Sequence, residues 1–225
     1  MRVVVVRHHE EDSAGFIGDA FEARGAELST LLYPKEGPLP GLDGLAHIVM
    51  LGSTCSVYDQ GEARAWIDEE LAWLRRADAA GVPVLGICFG AQLLTAAFGG
   101  TVEHAGRQEI GWVTIDSADP GVIPPGPWLE FHHDRCLPPA GATVLARNEL
   151  GAQAFQLGRH LAVQFHPEVD GAQLRLWLDA GGRYEIAQAG LDPDQMLAQT
   201  IAEESWAAER AGRLVASALR IAAGS

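Results

Sequence analysis

The chain has 225 residues, a formal net charge of −14 at pH 7 and three cysteines, Cys55, Cys88 and Cys136. This length suits one α/β domain with a sizeable core, which we predict to span residues 1–225. The acidic charge repels phosphate backbones and anionic membranes, which argues against nucleic acid and membranes as partners. The cysteine spacing matches neither a disulfide framework nor a zinc site, and no apolar run is long enough for a signal peptide or a membrane span. We therefore expect a soluble cytoplasmic protein without a metal.

The first predicted element is a buried strand at residues 3–6, where four valines follow one another. Five polar residues come next, at positions 8–12. Consecutive polar side chains rarely converge on one ion, so we expect a solvated loop here rather than a metal cluster. Apolar residues at helical spacing predict a helix over 14–24, which Gly25 ends, and a second strand follows near 27–32.

A turn-rich connector leads to a buried strand at 46–51 and then to a loop over 52–59, with the sequence Gly-Ser-Thr-Cys-Ser-Val-Tyr-Asp. Apolar residues at helical spacing predict a helix over residues 62–80 with one apolar face, and Gly81 lies at its predicted end. The chain then returns through a strand at 82–87 to its most informative stretch.

That stretch is a buried strand that turns sharply into a helix at Cys88. Gly86 and Gly90 flank the cysteine, as a nucleophile elbow requires, because neighbouring side chains would collide in the strained turn. The elbow places the sulfur at the N-terminus of a helix over 89–98, where unpaired N–H groups and the helix dipole favour a thiolate. The N–H of Phe89 can face a developing oxyanion.

The second half of the chain is predicted to begin with strands. Residues 101–116 alternate between polar and apolar side chains and contain Glu109 in a Glu-Ile-Gly-Trp segment, where an exposed carboxylate on an antiparallel ribbon is the simple expectation. A proline-rich loop separates this ribbon from Trp-Leu-Glu-Phe-His-His-Asp at 128–134. Because neighbours on a strand point to opposite faces, one of His132 and His133 should point away from any site. Further short strands are predicted at 143–146, 152–157 and 160–165.

The last of these strands leads to His166-Pro167-Glu168, in which the imidazole and the carboxylate lie two positions apart. A short helix is predicted over 172–180, and a helical tail over about 183–225. Within this tail, Asp192 followed by proline indicates the start of a helix. The apolar stripe of the final segment is expected to pack on the domain's own core, with binding of a partner as the alternative.

The elbow Gly86-Ile-Cys-Phe-Gly-Ala-Gln92 and the segment Gln164-Phe-His-Pro-Glu168 resemble the two signatures of class I glutamine amidotransferases. The resemblance implies a three-layer α/β/α fold of the flavodoxin-like type, with a mainly parallel central sheet and a C-terminal helical extension. It also implies that Cys88 is the nucleophile, His166 the general base and Glu168 the residue that orients His166.

Other segments carry the same resemblance. The loop that begins at Gly52 resembles the family's oxyanion segment, although Ser53 and Thr54 replace the usual second glycine and proline. Gly52, Ser53 and Phe89 are therefore the candidate oxyanion groups, and an ordinary strand-to-helix turn at residues 52–59 stays open as an alternative.

The family pattern further implies three substrate-binding residues. Gln92 would line the substrate pocket, with a buried cap as the alternative. His132 and Asp134 match a His-x-Asp segment that holds the amino-acid end of glutamine. Asp134 is the candidate contact for the α-ammonium group, because an ammonium in a small closed pocket requires an anionic partner.

The implied reaction is attack of the Cys88 thiolate on the side-chain amide of L-glutamine, which gives a γ-glutamyl thioester and ammonia. The sequence contains no glycine-rich nucleotide fingerprint, so no cofactor is expected. A free-standing subunit would supply ammonia to a separate synthetase or act as a glutaminase. Two alternatives stay open, a hydrolase of another γ-glutamyl compound with the same triad and a non-catalytic binding module of the same fold.

Overall fold

The structure is a computed structural model, and it describes residues 1–224. Its strands are β1 Arg2–Arg7, β2 Glu27–Leu32, β3 His47–Met50, β4 Val84–Ile87, β5 Thr101–Thr114, β6 Asp116–Ser117, β7 Pro127–Leu137, β8 Thr143–Asn148, β9 Gly151–Leu157 and β10 His160–Val163. Its helices are α1 Gly15–Glu22, α2 Glu62–Ala79, α3 Phe89–Ala97, α4 Gly171–Trp177, α5 Arg183–Gln188 and α6 Pro193–Ala222. A π-helical turn, Leu178–Gly182, joins α4 to α5.

One mixed sheet contains all these strands, in the order β2-β1-β3-β4-β10-β9-β7-β5, with β8 paired to β9 and β6 to β8. The five strands from β2 to β10 pair in parallel. The others pair antiparallel and extend the sheet beyond β10. Strands β4 and β10 are parallel neighbours, so their carboxyl ends meet at one edge of the sheet. The chain segments carrying Cys88 and His166 leave the sheet at that edge.

Helices cover both faces of the parallel half of the sheet, as predicted. The valines of β1 alternate between the two faces, as side chains on a strand must. Val3 and Val5 pack with α1 and α6, whereas Val4 and Val6 pack with α2 and α3. Both faces of β1 are buried, which explains why its sequence is an unbroken apolar run rather than an alternating one.

The tail is dominated by α6, a helix of 30 residues. Its start is the predicted one, because the Asp192 side chain accepts hydrogen bonds from the backbone N–H groups of Asp194 and Gln195. Its C-terminal half packs Ala211, Leu214 and neighbouring apolar residues into the core beside α1, so the predicted packing of this stripe on the chain itself is confirmed. None of the helices in the described part of the chain has the length and apolar character needed to cross a bilayer.

Candidate active site

The turn from β4 into α3 holds Cys88 in a strained conformation. Its φ is 52° and its ψ is −104°, and it is the only non-glycine residue of residues 1–224 with a positive φ. The two glycines around it leave no room for a side chain. A Cβ on Gly86 would lie 2.5 Å from the carbonyl oxygen of Gly90, and one on Gly90 would lie 2.3 Å from that of Met50. This turn has the strained conformation and the close packing that the glycine spacing predicts for an elbow, and the role of Cys88 as nucleophile stays a prediction.

His166 is reached directly from β10, and its backbone N–H donates to the carbonyl oxygen of Leu129 at 2.8 Å. Its side chain is bonded to that of Glu168, with 2.8 Å between Nδ1 and Oε1, and both side chains are almost completely buried. Within residues 1–224, Nε2 of His166 is buried and has no hydrogen-bond partner. A histidine that transfers protons requires one nitrogen held by a carboxylate and one nitrogen that is free to exchange the proton, and His166 has both.

Gly52 lies against both Cys88 and His166. A Cβ built on it would lie 3.2 Å from Cε1 of His166 and 3.8 Å from Cβ of Cys88. Glycine at this position therefore allows the imidazole and the cysteine to lie close together. Sequence reasoning placed Gly52 near the oxyanion, and the structure adds that a side chain there would press on the imidazole.

Electrostatics couple the imidazole to the cysteine. Burial alone lowers the pKa of His166, but the charges of Glu168 and Cys88 and the hydrogen bond to Glu168 outweigh it and raise that pKa well above its ordinary value. An imidazolium in this position can donate a proton, and the sulfur beside it is the candidate nucleophile. The arrangement can therefore provide a nucleophile and a general acid at neutral pH.

The two histidines that follow β1 form hydrogen bonds to the loop after β3. Nδ1 of His8 lies 2.7 Å from the carbonyl oxygen of Gly52, and Nε2 of His9 accepts from the backbone N–H of Thr54 at 3.1 Å. The His8 side chain is 3 % exposed and contacts the fully buried Glu70 of α2 at 3.0 Å. The expectation of a solvated loop was thus wrong for His8.

A signal for this contact exists in the sequence. Glu70 lies on the buried side of α2, next to Leu71 and Leu74. A carboxylate on the apolar stripe of a helix needs a buried partner. Sequence reasoning did not follow this signal, and nothing local shows that the partner lies 62 residues earlier.

Gln92 and Asp134 both hold the loop over residues 52–59. Oε1 of Gln92 accepts from the backbone N–H of Val57 at 3.4 Å. The Asp134 carboxylate accepts from the hydroxyl of Ser56 at 2.5 Å and from that of Tyr58 at 2.7 Å. Asp134 is 1 % exposed and Gln92 is 4 % exposed. Their assignment to substrate binding stays a prediction, since neither lines the cavity described below.

His132 lies in a buried cluster of carboxylates. Its Nδ1 is 2.8 Å from the carbonyl oxygen of Asp134, and its Nε2 is 3.1 Å from a carboxylate oxygen of Glu109 and 3.1 Å from one of Glu130. Burial lowers the pKa of His132, but hydrogen bonds to Glu109 and Glu130 outweigh it and raise the pKa to about 10. Glu109 is therefore not the exposed carboxylate expected on a ribbon.

Within the described residues, the group Glu109, Glu130 and His132 has the donor atoms and spacing that a metal ion would need. Each ring nitrogen of His132 faces an oxygen acceptor, so the ring is held as a cation. That cation offsets the charge of one carboxylate, and burial raises the pKa of Glu130. His132 itself does not line the cavity.

A cavity of about 450 Å³ opens over the elbow. Cys88, His166, Gly52, Ser53 and Thr54 form its inner wall. The outer wall comes from the loop after β1, from β7 and from the segment between the end of α4 and the start of α5. Its side chains include those of His9, Glu11, Asp12, Phe131, Trp177, Tyr184 and Glu185. The lining residues include three carboxylates and neither lysine nor arginine.

Trp177 and Asp12 form part of this outer wall, and sequence reasoning missed both. The Trp177 ring packs edge-on against His166 with 5.0 Å between ring centroids, and its Nε1 donates to Asp12 at 2.9 Å. Burial raises the pKa of Asp12. The two residues are 165 positions apart, so no local pattern could have paired them.

An α/β sheet that presents a cysteine elbow beside a carboxylate-bound histidine defines a cysteine-dependent enzyme of the triad type. Residues 17–175 match the family described as glutamine amidotransferase class-I. The chain is 32% identical over 207 residues to a glutamine-hydrolyzing GMP synthase of Thermus thermophilus, a match that covers 82% of this chain and 37% of that protein.

Two solved structures share the fold. A glutamine amidotransferase from Thermotoga maritima is 25% identical, with a TM-score of 0.88 over 97% of this chain and 98% of its own. A glutamine amido transferase from Methylobacillus flagellatus is 24% identical, with a TM-score of 0.87 over 98% of this chain and 94% of its own. The chain thus belongs to the class I glutamine amidotransferase family and is an enzyme of that class. It covers between 23% and 37% of the length of the curated relatives that it matches.

Proposed function

We propose that this protein hydrolyses the side-chain amide of L-glutamine through a γ-glutamyl thioester on Cys88. The observation that carries the proposal is the position of His166, whose Nδ1 is bonded to Glu168 and whose buried Nε2 has no partner within residues 1–224. A thiolate beside that imidazolium attacks the amide carbon and forms the carbon–sulfur bond. His166 then donates its Nε2 proton to the nitrogen as the carbon–nitrogen bond breaks and ammonia leaves.

Backbone N–H groups would stabilise the oxygen of the tetrahedral intermediate. Phe89 is the first residue of α3, so its N–H has no acceptor within the helix. Within residues 1–224, the N–H of Ser53 also has no hydrogen-bond acceptor. We assign these two groups to the oxyanion, with Gly52 providing the close approach to Cys88 and His166. Water activated by neutral His166 completes the cycle by releasing glutamate and the thiolate.

The ammonia acceptor would be a separate synthetase. Relatives that carry the name glutamine-hydrolyzing GMP synthase support an acceptor of the synthetase class, because that name joins glutamine hydrolysis to a synthase. The proposal does not depend on guanine nucleotide chemistry, because only the names of those relatives mention it. A synthetase of another class would use the same ammonia.

The first test is release of ammonia and glutamate from glutamine by the purified protein. Cys88→Ala should abolish both products. Cys55→Ala is the matched control, since Cys55 lies in the neighbouring loop and should retain most of the activity. Equal activity in the Cys88→Ala protein would refute the proposal.

The cavity favours a second candidate function, hydrolysis of a γ-glutamyl amine. Glu11, Asp12 and Glu185 line the cavity together with the active cysteine, and no lysine or arginine opposes them. A leaving group that carries a cationic amine would be attracted to such a wall. A ratio of kcat/KM that favours a γ-glutamyl diamine over glutamine would support this candidate.

A non-catalytic binding module of the same fold is a third possibility. Alkylation by a glutamine-like electrophile separates it from both enzymes. Cys88 should react in the native protein and fail to react after unfolding by urea at the same pH. A Cys88 that is equally unreactive in both states would support the binding module.

A further inference from the structure

The peptide group between Gly52 and Ser53 is held by a single side chain. The Gly52 carbonyl oxygen lies 2.7 Å from Nδ1 of His8. The segment lies outside the strands, and Leu51 is the last residue before it that makes a backbone hydrogen bond to β1, to Val6 at 2.9 Å. Nothing else in residues 1–224 donates to that carbonyl oxygen. The orientation of this peptide therefore depends on His8.

Fixing the carbonyl also fixes the N–H that follows it. The only cis peptide bond within residues 1–224 joins Tyr33 to Pro34, so the Gly52–Ser53 bond is trans. In a trans peptide the C=O and the N–H point in opposite directions. His8 is buried beneath the loop, whereas Ser53 lines the cavity with Cys88. The Ser53 N–H is consequently turned away from His8, toward the cavity.

Glu70 determines the protonation of His8. A carbonyl oxygen can only accept a hydrogen bond, so Nδ1 of His8 must carry a proton. Nε2 lies 3.0 Å from the buried carboxylate of Glu70, which accepts when ionised. Both nitrogens then donate, and the ring is an imidazolium. The rings of Trp66 and Phe89 pack against it, with centroid distances of 5.6 and 5.1 Å, and hold its plane.

The pKa of His8 is consistent with this geometry. Burial lowers that pKa, but the charge of Glu70 and the hydrogen bonds to Glu70 and to the Gly52 carbonyl outweigh it and raise the pKa above its ordinary value. Asp12 is a further negative group that raises it. The direction of this shift agrees with a ring that donates from both nitrogens.

We propose that His8, held by Glu70, is a positioning residue that sets the Gly52–Ser53 peptide so that the Ser53 N–H faces the oxyanion. The proposal rests on the proposed thioester chemistry. It also accounts for the departure from Gly-Gly-Pro in this loop. Ser53 has no positive φ, so the needed orientation is reached in ordinary backbone conformation and is maintained by an external hydrogen bond.

Two matched double variants separate this role from a merely structural one. Asparagine places its amide nitrogen near the position of Nδ1, so His8→Asn can still donate to Gly52. Glutamine reaches the position of Nε2, so His8→Gln keeps the contact with position 70 and leaves the Gly52 carbonyl without a donor. Each is combined with Glu70→Gln, because a buried carboxylate without a partner would destabilise the fold by itself. Thermal unfolding checks that both proteins are folded.

Kinetics give the first readout. Loss of one oxyanion donor costs about 100-fold to 1,000-fold in kcat. We expect His8→Gln/Glu70→Gln to lose at least about 30-fold in kcat for glutamine with less than about threefold change in KM, and His8→Asn/Glu70→Gln to stay within about fivefold of the parent. Alkylation of Cys88 by iodoacetamide develops no oxyanion, so its rate should be equal in the two variants. Equal kcat values in the two variants would overturn the proposal.

Crystal structures of the parent and both variants give a readout that does not require activity. The peptide between residues 52 and 53 should keep its orientation with asparagine at position 8 and rotate with glutamine there. An unrotated peptide in the glutamine variant would overturn the role of His8, whatever the activity. A parent protein that fails to hydrolyse glutamine while the peptide still rotates would contradict the proposed substrate and leave His8 as the residue that sets this peptide.

Discussion

Replacing Glu168 by glutamine tests the charge behind His166. The carboxylate lies 2.8 Å from Nδ1 and both side chains are almost completely buried. Glutamine can still accept a hydrogen bond from Nδ1 through its amide oxygen, so the ring keeps its orientation. The substitution therefore removes the negative charge and retains the geometry.

The size of the effect follows from the distance between the charges. Two unit charges about 4 Å apart interact by about 4 kcal/mol at an effective dielectric constant of about 20. One pKa unit corresponds to about 1.4 kcal/mol, so loss of an interaction of this size lowers the pKa of His166 by about 3 units. We expect the pKa of His166 to fall by about 1 to 3 units, which destabilises the imidazolium and thiolate pair by the same free energy.

The assay is the pH profile of Cys88 alkylation by iodoacetamide, followed by mass spectrometry between pH 5 and pH 9. The rise of the alkylation rate with pH should move upward by at least about 1 pH unit in Glu168→Gln. Glu11→Gln is the matched control, because it removes the same charge from the cavity wall. A profile that moves equally in both variants, or in neither, would refute the assignment of the effect to the contact with His166.

Three further predictions concern the elbow, the carboxylate cluster and the substrate pocket. Gly90→Ala should lower the free energy of unfolding by about 3 kcal/mol, measured in urea, because its Cβ would lie 2.3 Å from the carbonyl oxygen of Met50. His132 has a folded pKa of about 10, above its value in the unfolded chain, so its stabilisation is complete below about pH 6.5 and is lost as the pH rises toward 10. The unfolding free energy of the parent minus that of His132→Gln should decrease over that range. Asp134→Asn should raise KM for glutamine about tenfold or more if its carboxylate binds the α-ammonium group.

Each of these predictions has a control. Gly41→Ala should leave stability nearly unchanged, since a Cβ at that position would have no atom within 4 Å and the φ of Gly41 is not positive. A pH-independent stability difference for His132→Gln would contradict a cationic His132. Ser56→Ala removes one of the two hydroxyl groups that donate hydrogen bonds to the Asp134 carboxylate. An equal rise in KM in Ser56→Ala and Asp134→Asn would show that Asp134 acts only by holding the loop.

The sequence alone determined the elements whose requirements are local. A nucleophile elbow needs a strand, a strained residue and small neighbours within five positions, and Gly86 and Gly90 around Cys88 meet that need. The pairing of His166 with Glu168 is also local, because a single proline lies between them. The valine run of β1 shows burial on both faces, since an element with one exposed face would alternate. These features could be predicted because each depends on a few consecutive residues.

The tertiary structure decided which buried polar groups meet. The contact of His8 with Glu70 spans 62 residues, and that of Ser56 with Asp134 spans 78. Periodicity shows that Glu70 faces the interior, but it does not show what lies opposite. A buried charge must be paired, yet its partner is set by the order of strands and by how loops at the carboxyl edge of the sheet pack. The contacts that hold the loop beside the predicted triad therefore depend on long-range packing. The predicted triad itself lies in two short segments of the chain.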